Sequence, residues 1–282
     1  MRSSGRFLIA AAMVIFGLFS YYSLRQDNPV TGEAQHISLS PDEETALGLQ
    51  AAPEMAEQMG GLHASAQVQD YVNRIGQAVV ANSRAKNGPY RYQFHVLADD
   101  QTVNAFALPG GPIFITSALL AQLENEAQLA GVLGHEVGHV VGRHAAEHMA
   151  KGQLSQLLVG AAGVAASDQG GGGQGAAMIA ALVANVTSLQ YGRKDELEAD
   201  ALGIEFMGEA QYDPRAMIGV MDILERAGSG RGQAPSWLQS HPDPGNRRES
   251  IRQGIAEKFP NGVTAAQGTG DAQAFRAMQA QL

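Results

Sequence analysis

The chain has 282 residues, 45% of them hydrophobic and 17% charged, with a formal net charge of −9 at pH 7. That composition supports one sizeable core, and an acidic balance with no basic run excludes a nucleic-acid binder. It contains no cysteine, which rules out disulfides, thiol catalysis, a cysteine-based metal site and a lipidated N-terminal cysteine.

Arg2 and Arg6 precede an apolar stretch, Phe7 to Tyr22, and the polar run Arg25 to Pro29 follows it. Charge before an apolar segment is the order of a signal peptide or a signal anchor. As a helix the stretch is roughly 24 Å long, short of a hydrocarbon core of roughly 30 Å unless Ser23 and Leu24 extend it. No clear A-x-A cleavage site follows it. On either reading the arginines keep the N-terminus cytoplasmic and set the remainder outside the inner membrane. Residues 1–25 are thus a signal peptide or anchor, and residues 26–39 a polar linker.

Ser40-Pro41-Asp42-Glu43 is a helix start, with Ser at the N-cap, Pro in the first turn and Glu at N3. This helix runs to about Met59 and stops at Gly60-Gly61. A second covers Ala64 to Arg84, with Val68, Tyr71, Val72, Ile75 and Val79 on one face. The pattern then changes to period two. Tyr90–Leu97, Ala105–Leu108 and Ile113–Thr116 are predicted strands, the last two joined by a Pro-Gly-Gly-Pro turn. A short helix follows from Ser117 to Leu123.

Asn125 to Met149 contains no proline and carries apolar residues at helical spacing from Leu129 to Val141. Within it lies His135-Glu136-Val137-Gly138-His139. On a helix, residues four apart share a face, so both histidines can bind one ion while Glu136 reaches a metal-bound water. This is the H-E-x-x-H arrangement in which histidines hold Zn2+ and the glutamate is general base. Gly131, Gly134, Gly138 and Gly142 admit either another backbone or a substrate.

A catalytic zinc takes three protein ligands and leaves a position for water. The third is expected in Asp195-Glu196-Leu197-Glu198-Ala199-Asp200. Glu196 and Asp200 share a helical face, with Glu196 as ligand and Asp200 orienting a ligand histidine through its other ring nitrogen. Glu198 points to the opposite side. Between the two motifs, residues 152–188 hold two small-residue arms, Leu154–Ala166 and Ala176–Val186, around a glycine-rich tip. They form a packed helical hairpin or a lid over the cleft. Downstream, Pro214 starts a helix that ends near Gly228, and His241 follows a loop in Ser-His-Pro-Asp-Pro. Beyond Phe259 the chain is rich in Gln, Ala and Gly, with a short helix at its end.

The order H-E-x-x-H, then E-x-x-x-D on a later helix, then a His-Pro element resembles the M48 group of zinc metallopeptidases. That group includes the CAAX-prenyl and HtpX-type proteases and a set of bacterial envelope proteases. The matching stretches are Gly134–His144, Arg193–Asp200 and Ser240–Arg247, and Asn104–Gly111 looks like the family's strand and turn ahead of the active-site helix. Asn28 to Gly61 is further similar to the small periplasmic LoiP-type members. Gly192 departs from the pattern, since a serine is common there. The resemblance implies that His241 approaches the zinc, either steadying the oxyanion or filling the open position at rest. Arg247 would pair with an acid near the site.

The expected protein is an α+β, mainly helical zincin-type domain over residues 40–260, with a small β-sheet beside the active-site helix and a tail at 261–282. Its expected activity is zinc-dependent endopeptidase action on extended or misfolded envelope proteins, in protein quality control. One zinc per chain would be held by His135, His139 and Glu196, with Glu136 as base. An exposed strand edge at Asn104 and Ala105 would align an extended substrate by β-augmentation, or else the strands are a plain structural hairpin. Two other readings compete. One is a latent or weakly active zinc-bound chaperone or adaptor that uses the same edge. The other is a structural zinc domain with His241 as its fourth ligand.

Overall fold

Ser40 caps α2 (Pro41–Gln58) with both halves of a capping box: its hydroxyl accepts from the Glu43 amide at 3.3 Å, and the Glu43 carboxylate accepts from the Ser40 amide at 2.8 Å. In this computed structural model the described residues are 2–166, 191–229, 235–242, 246–264 and 267–282. Upstream of Ser40 lie α1 (Arg2–Ser23) and a hairpin of β1 (Arg25–Asp27) and β2 (Ala34–His36). The expected linker is therefore ordered. Asn28 Nδ2 donates to the Val141 carbonyl at 2.7 Å and Gln35 Nε2 donates to that of Gly142, which uses the free carbonyls at a helix end.

Ser65 caps α3 (Ala66–Ala81), whose buried residues include Val68, Tyr71, Val72, Ile75 and Val79, the face its periodicity predicts. The sheet follows as β3 (Gln93–Leu97), β4 (Ala105–Ala107) and β5 (Pro112–Thr116), in spatial order β3-β5-β4. β4 pairs antiparallel with β5 and β3 pairs parallel with it. The turn between β4 and β5 requires glycine, because Gly110 and Gly111 have φ of 76° and 126°. After α4 (Ser117–Leu120), Asn125 caps α5 (Glu126–Val141), every residue of which is buried. A mainly helical α+β fold thus wraps one central helix, with a small sheet beside it.

The predicted run to Met149 is two helices. α5 ends at Val141 and α6 (His144–Ala166) starts after Arg143, which takes a left-handed φ of 54°. That conformation is uncommon away from glycine, and here it is held by side-chain bonds. Arg143 Nε donates to Glu44 Oε1 at 2.8 Å and Nη2 to the Leu39 carbonyl at 2.7 Å. α6 continues through the arm expected at Leu154–Ala166; the second arm and the glycine-rich tip lie outside the described residues. α1 packs along α6, with Gly17 against Leu154 and Leu157, and leaves Phe7, Ile15, Phe16 and Phe19 exposed. Among the described residues no helix is long and apolar enough to cross a membrane.

The remaining helices are α7 (Arg193–Glu209), α8 (Ala216–Ser229), α9 (Ser236–Ser240), α10 (Arg247–Lys258) and α11 (Ala272–Gln279). α5 and α7 cross with almost no side chain between them. A Cβ on Gly138 would lie 2.9 Å from the Ala199 carbonyl oxygen, and one on Gly203 would lie 3.2 Å from the His135 nitrogen. Of the two options for the α5 glycines, Gly138 therefore serves a neighbouring backbone. Gly138→Ala should destabilise the protein by about 1–3 kcal/mol, the usual cost of overpacking. Gly152→Ala on α6 meets nothing within 4 Å and should stabilise it by about 0.5–1 kcal/mol. Urea melts check both, and equal midpoints would contradict the close crossing.

Candidate metal centre

The α5–α7 crossing sets His135 and His139 opposite Glu196 and Asp200, and α9 brings His241 in from the side. His135, His139, Glu196 and His241 each offer a donor atom, and all four atoms lie within 4.8 Å of one another. His135 Nε2 is 3.0 Å from His139 Nε2 and 3.6 Å from Glu196 Oε2, and His139 Nε2 is 3.4 Å from Glu196 Oε1. A tetrahedral zinc with ligands at about 2.0–2.2 Å separates its donors by about 3.3–3.6 Å; both Glu196 contacts match that spacing, and the two histidine nitrogens stand slightly closer. Orphaned atoms point the same way. Glu136 Oε2, Glu196 Oε2 and His241 Nε2 are buried without a hydrogen-bond partner among the described residues. Glu196 Oε2 lies 2.9 Å from Arg247 Nη1, an ion-pair contact without hydrogen-bond geometry. Buried polar atoms left in this way are rare and call for an ion or a ligand.

Asp200 and Arg247 form the floor. Arg247 donates to both Asp200 oxygens, from Nε at 2.7 Å and from Nη2 at 2.8 Å, and Asp200 Oδ1 is 2.9 Å from His135 Nδ1. Glu196 and Asp200 thus share a face as their spacing requires, and Arg247, on the first turn of α10, spans both. Gly192 is the N-cap of α7; its amide donates to Asp195 Oδ2 at 2.9 Å, so the absent serine leaves the helix start intact.

Burial disfavours charge throughout this group, and specific neighbours decide each case. Burial alone would raise the Glu196 carboxyl, but the His241 imidazole hydrogen-bonded to it outweighs burial and holds it well below the usual carboxylate range. Burial would also raise Asp200, and the Arg247 guanidinium lowers it instead. His139 is pushed well below the ordinary histidine value by burial, with His135 and His241 adding to that effect, so its lone pair is available. His241 goes the other way, because Glu196 and Glu136 overcome its burial.

His241 Nδ1 lies 3.0 Å from Glu196 Oε1 and 3.3 Å from His135 Nε2, and its Nε2 lies 3.6 Å from Glu136 Oε1. Two neighbours went unread in the sequence. Trp237 donates from Nε1 to Glu136 Oε1 at 3.2 Å and stacks on His241 with ring centroids 4.7 Å apart. Tyr191 stacks on His139 at 4.0 Å. For Trp237 the sequence carries one signal, since it is the only tryptophan of the chain and stands four residues before His241. Glu198, expected to face away, reaches His144 Nε2 at 3.4 Å.

β4 is an edge strand of its sheet. Asn104 uses its backbone on Thr116, donating to Oγ1 at 3.1 Å and accepting from the Thr116 amide at 3.0 Å. Alternation then turns the groups of Val103 and Ala105 outward. The Val103 carbonyl accepts from the Trp237 amide at 3.1 Å, and Ala105 is buried. α9 therefore lies over the start of this edge. A cleft beside the other end, lined by Ala107, Leu108, Arg143 and Tyr191, reaches His139.

Comparison with known proteins agrees with this geometry. Peptidase family M48 matches residues 66–255. The chain is 31% identical over 245 residues to the beta-barrel assembly-enhancing protease of Yersinia pestis, covering 85% of this chain and 49% of that protein. It is 28% identical over 252 residues to the mitochondrial metalloendopeptidase OMA1 of Schizosaccharomyces pombe, covering 88% of this chain and 72% of the relative. It is 27% identical over 203 residues to the metalloprotease YcaL of Escherichia coli, covering 71% and 76%. The chain thus spans about half the length of the Yersinia relative.

Removing Arg247 should unbalance the floor. Arg247→Met leaves Asp200 and Glu196 buried without their counter-charge and should cost about 3–5 kcal/mol. Arg248→Met, at a half-exposed ion pair with Asp222 and Glu225, should cost about 0–1 kcal/mol. Denaturant melts of chelator-treated protein read both, and equal costs would show that the guanidinium is not structural.

Proposed function

The chain belongs to peptidase family M48, and we propose that it is a zinc-dependent endopeptidase acting on extended or misfolded proteins of the bacterial cell envelope. The observation that carries this reading is the convergence of His135, His139 and Glu196 on one point, with Glu136 buried beside them. His135 and His139, through Nε2, and Glu196 would hold one zinc. When bound there, zinc supplies Lewis-acid polarisation of the scissile carbonyl and lowers the pKa of water. Glu136 is the base. Its Oε1 is fixed by the Trp237 indole, and its unpartnered Oε2 takes a proton from the attacking water and returns it to the leaving amine nitrogen. Asp200 accepts from His135 Nδ1, and Arg247 keeps Asp200 ionised.

His241 is a plug in the resting form. Its ring nitrogen lies inside the donor group, and His241, Glu136 and Glu196 are all inaccessible to solvent. Withdrawal of α9 opens the group and frees the Val103 carbonyl, so that the outward-facing groups of Val103 and Ala105, on either side of Asn104, form the β4 edge where an extended substrate pairs by β-augmentation. This supports a latent protease over a structural zinc domain, in which Glu136 would have no use. Residues 1–25, with Arg2 and Arg6 ahead of the apolar run, serve as a signal peptide or an inner-membrane anchor facing the periplasm. Residues 40–260 form the catalytic domain. Envelope quality control is the role proposed with this activity, and the Yersinia relative is named as a protease that enhances beta-barrel assembly.

Casein digestion with matched zinc analysis tests the activity. Wild type should carry about one zinc per chain and cleave casein; Glu136→Gln should keep the metal and lose cleavage, and Glu196→Ala should lose most of the metal. Cleavage by Glu136→Gln at the wild-type rate would reject the assignment. His241→Ala should raise the initial rate on casein. A fall of about 10²–10³-fold in kcat with zinc retained would instead make His241 a transition-state donor.

A further inference from the structure

His139 has two ring nitrogens with different surroundings. Nε2 faces the donor group, while Nδ1 lies 2.8 Å from His144 Nδ1. An imidazole that gives its Nε2 lone pair to a metal carries its proton on Nδ1. That proton points at His144 Nδ1, which must then be an acceptor. His144 therefore carries its own proton on Nε2, and this nitrogen is 3.4 Å from Glu198 Oε2. One proton arrangement satisfies the whole chain of contacts: His139 donates to His144, and His144 donates to Glu198. We infer that His144 and Glu198 are positioning residues that fix the ring orientation and tautomer of His139. They serve His139 as Asp200 and Arg247 serve His135. The inference rests on the proposed reading, in which His139 binds the metal through Nε2.

The local backbone is built around this contact. Left-handed Arg143 folds α6 back on the end of α5, so that its first residue, His144, lies under His139. A Cβ on Gly142 would come within 2.4 Å of His144 Nε2, so the ring needs a glycine there. His144 is 1% exposed, which shields its two contacts from water, whereas Glu198 is 17% exposed and lies toward the surface. The two ligand histidines thus have unequal supports. His135 rests on a sealed carboxylate–guanidinium pair, and His139 on a neutral ring that leads outward to a carboxylate.

The test is zinc affinity of the full chain by competition with a chromophoric chelator, together with the thermal midpoint of chelated protein. Loss of such a support typically weakens metal binding by about 10–100-fold. His144→Ala should fall in that range and Glu198→Ala near about 10-fold, at its lower end. His144→Asn, whose side-chain oxygen can accept from His139 Nδ1, should recover most of the loss. Glu198→Ala should leave the midpoint of chelated protein unchanged. Wild-type affinity in both alanine variants, while His139→Ala has lost zinc, would overturn the positioning role. So would a lowered midpoint of chelated Glu198→Ala that accounts for the lost affinity. Wild-type affinity in His139→Ala would instead overturn the metal site itself. Should His144→Ala fail to fold, Glu198→Ala and His144→Asn decide the question.

Discussion

A guanidinium sealed from water fixes the centre of this protein. Arg247 is 1% exposed, and a buried charge is tolerable only when it is paired and hydrogen-bonded. Asp200 takes two of its bonds, Glu196 lies against Nη1, and the Trp237 ring covers it at 4.6 Å. These partners come from α7 and α9, and Asp200 in turn holds His135 on α5. One cation on α10 therefore ties the three helices that carry the donor group. It also keeps Asp200 ionised where burial would neutralise it, as His241 does for Glu196, and a metal ligand must be ionised to bind well.

The same packing closes the site. Trp237 bridges three functions: its indole holds Glu136, its ring backs His241, and its amide occupies the Val103 carbonyl at the edge strand. A helix of five residues, α9, thereby covers both the base and the strand edge. Short helices have little cooperative stability of their own and depend on such contacts. α9 therefore owes its place to those contacts rather than to its own hydrogen bonds.

Much of this was legible in the sequence, because it is local. Helical spacing puts His135 with His139 and Glu196 with Asp200, and the Ser40 capping box and the β4–β5 glycine turn specify their own conformations. What was not legible depends on contacts between distant segments. The break at Gly142-Arg143 has no proline to announce it; it is stabilised by Glu44, about a hundred residues upstream. The β1–β2 hairpin is short and polar, and it is ordered by the α5 carbonyls it caps. Glu198 was turned away by the same helical arithmetic that found Glu196, yet a histidine from α6 meets it on that other side. The contact of Trp237 with Glu136 is not legible either, because no spacing rule links a tryptophan to a glutamate a hundred residues away.

On the proposed reading, this packing holds a metal between His135, His139 and Glu196. Anomalous diffraction at the zinc edge, on crystals of the purified full chain, tests it most directly. One strong peak per chain is expected, within about 2.0–2.2 Å of His135 Nε2, His139 Nε2 and a Glu196 oxygen. A peak bound by other residues, with these three side chains unligated, would contradict it.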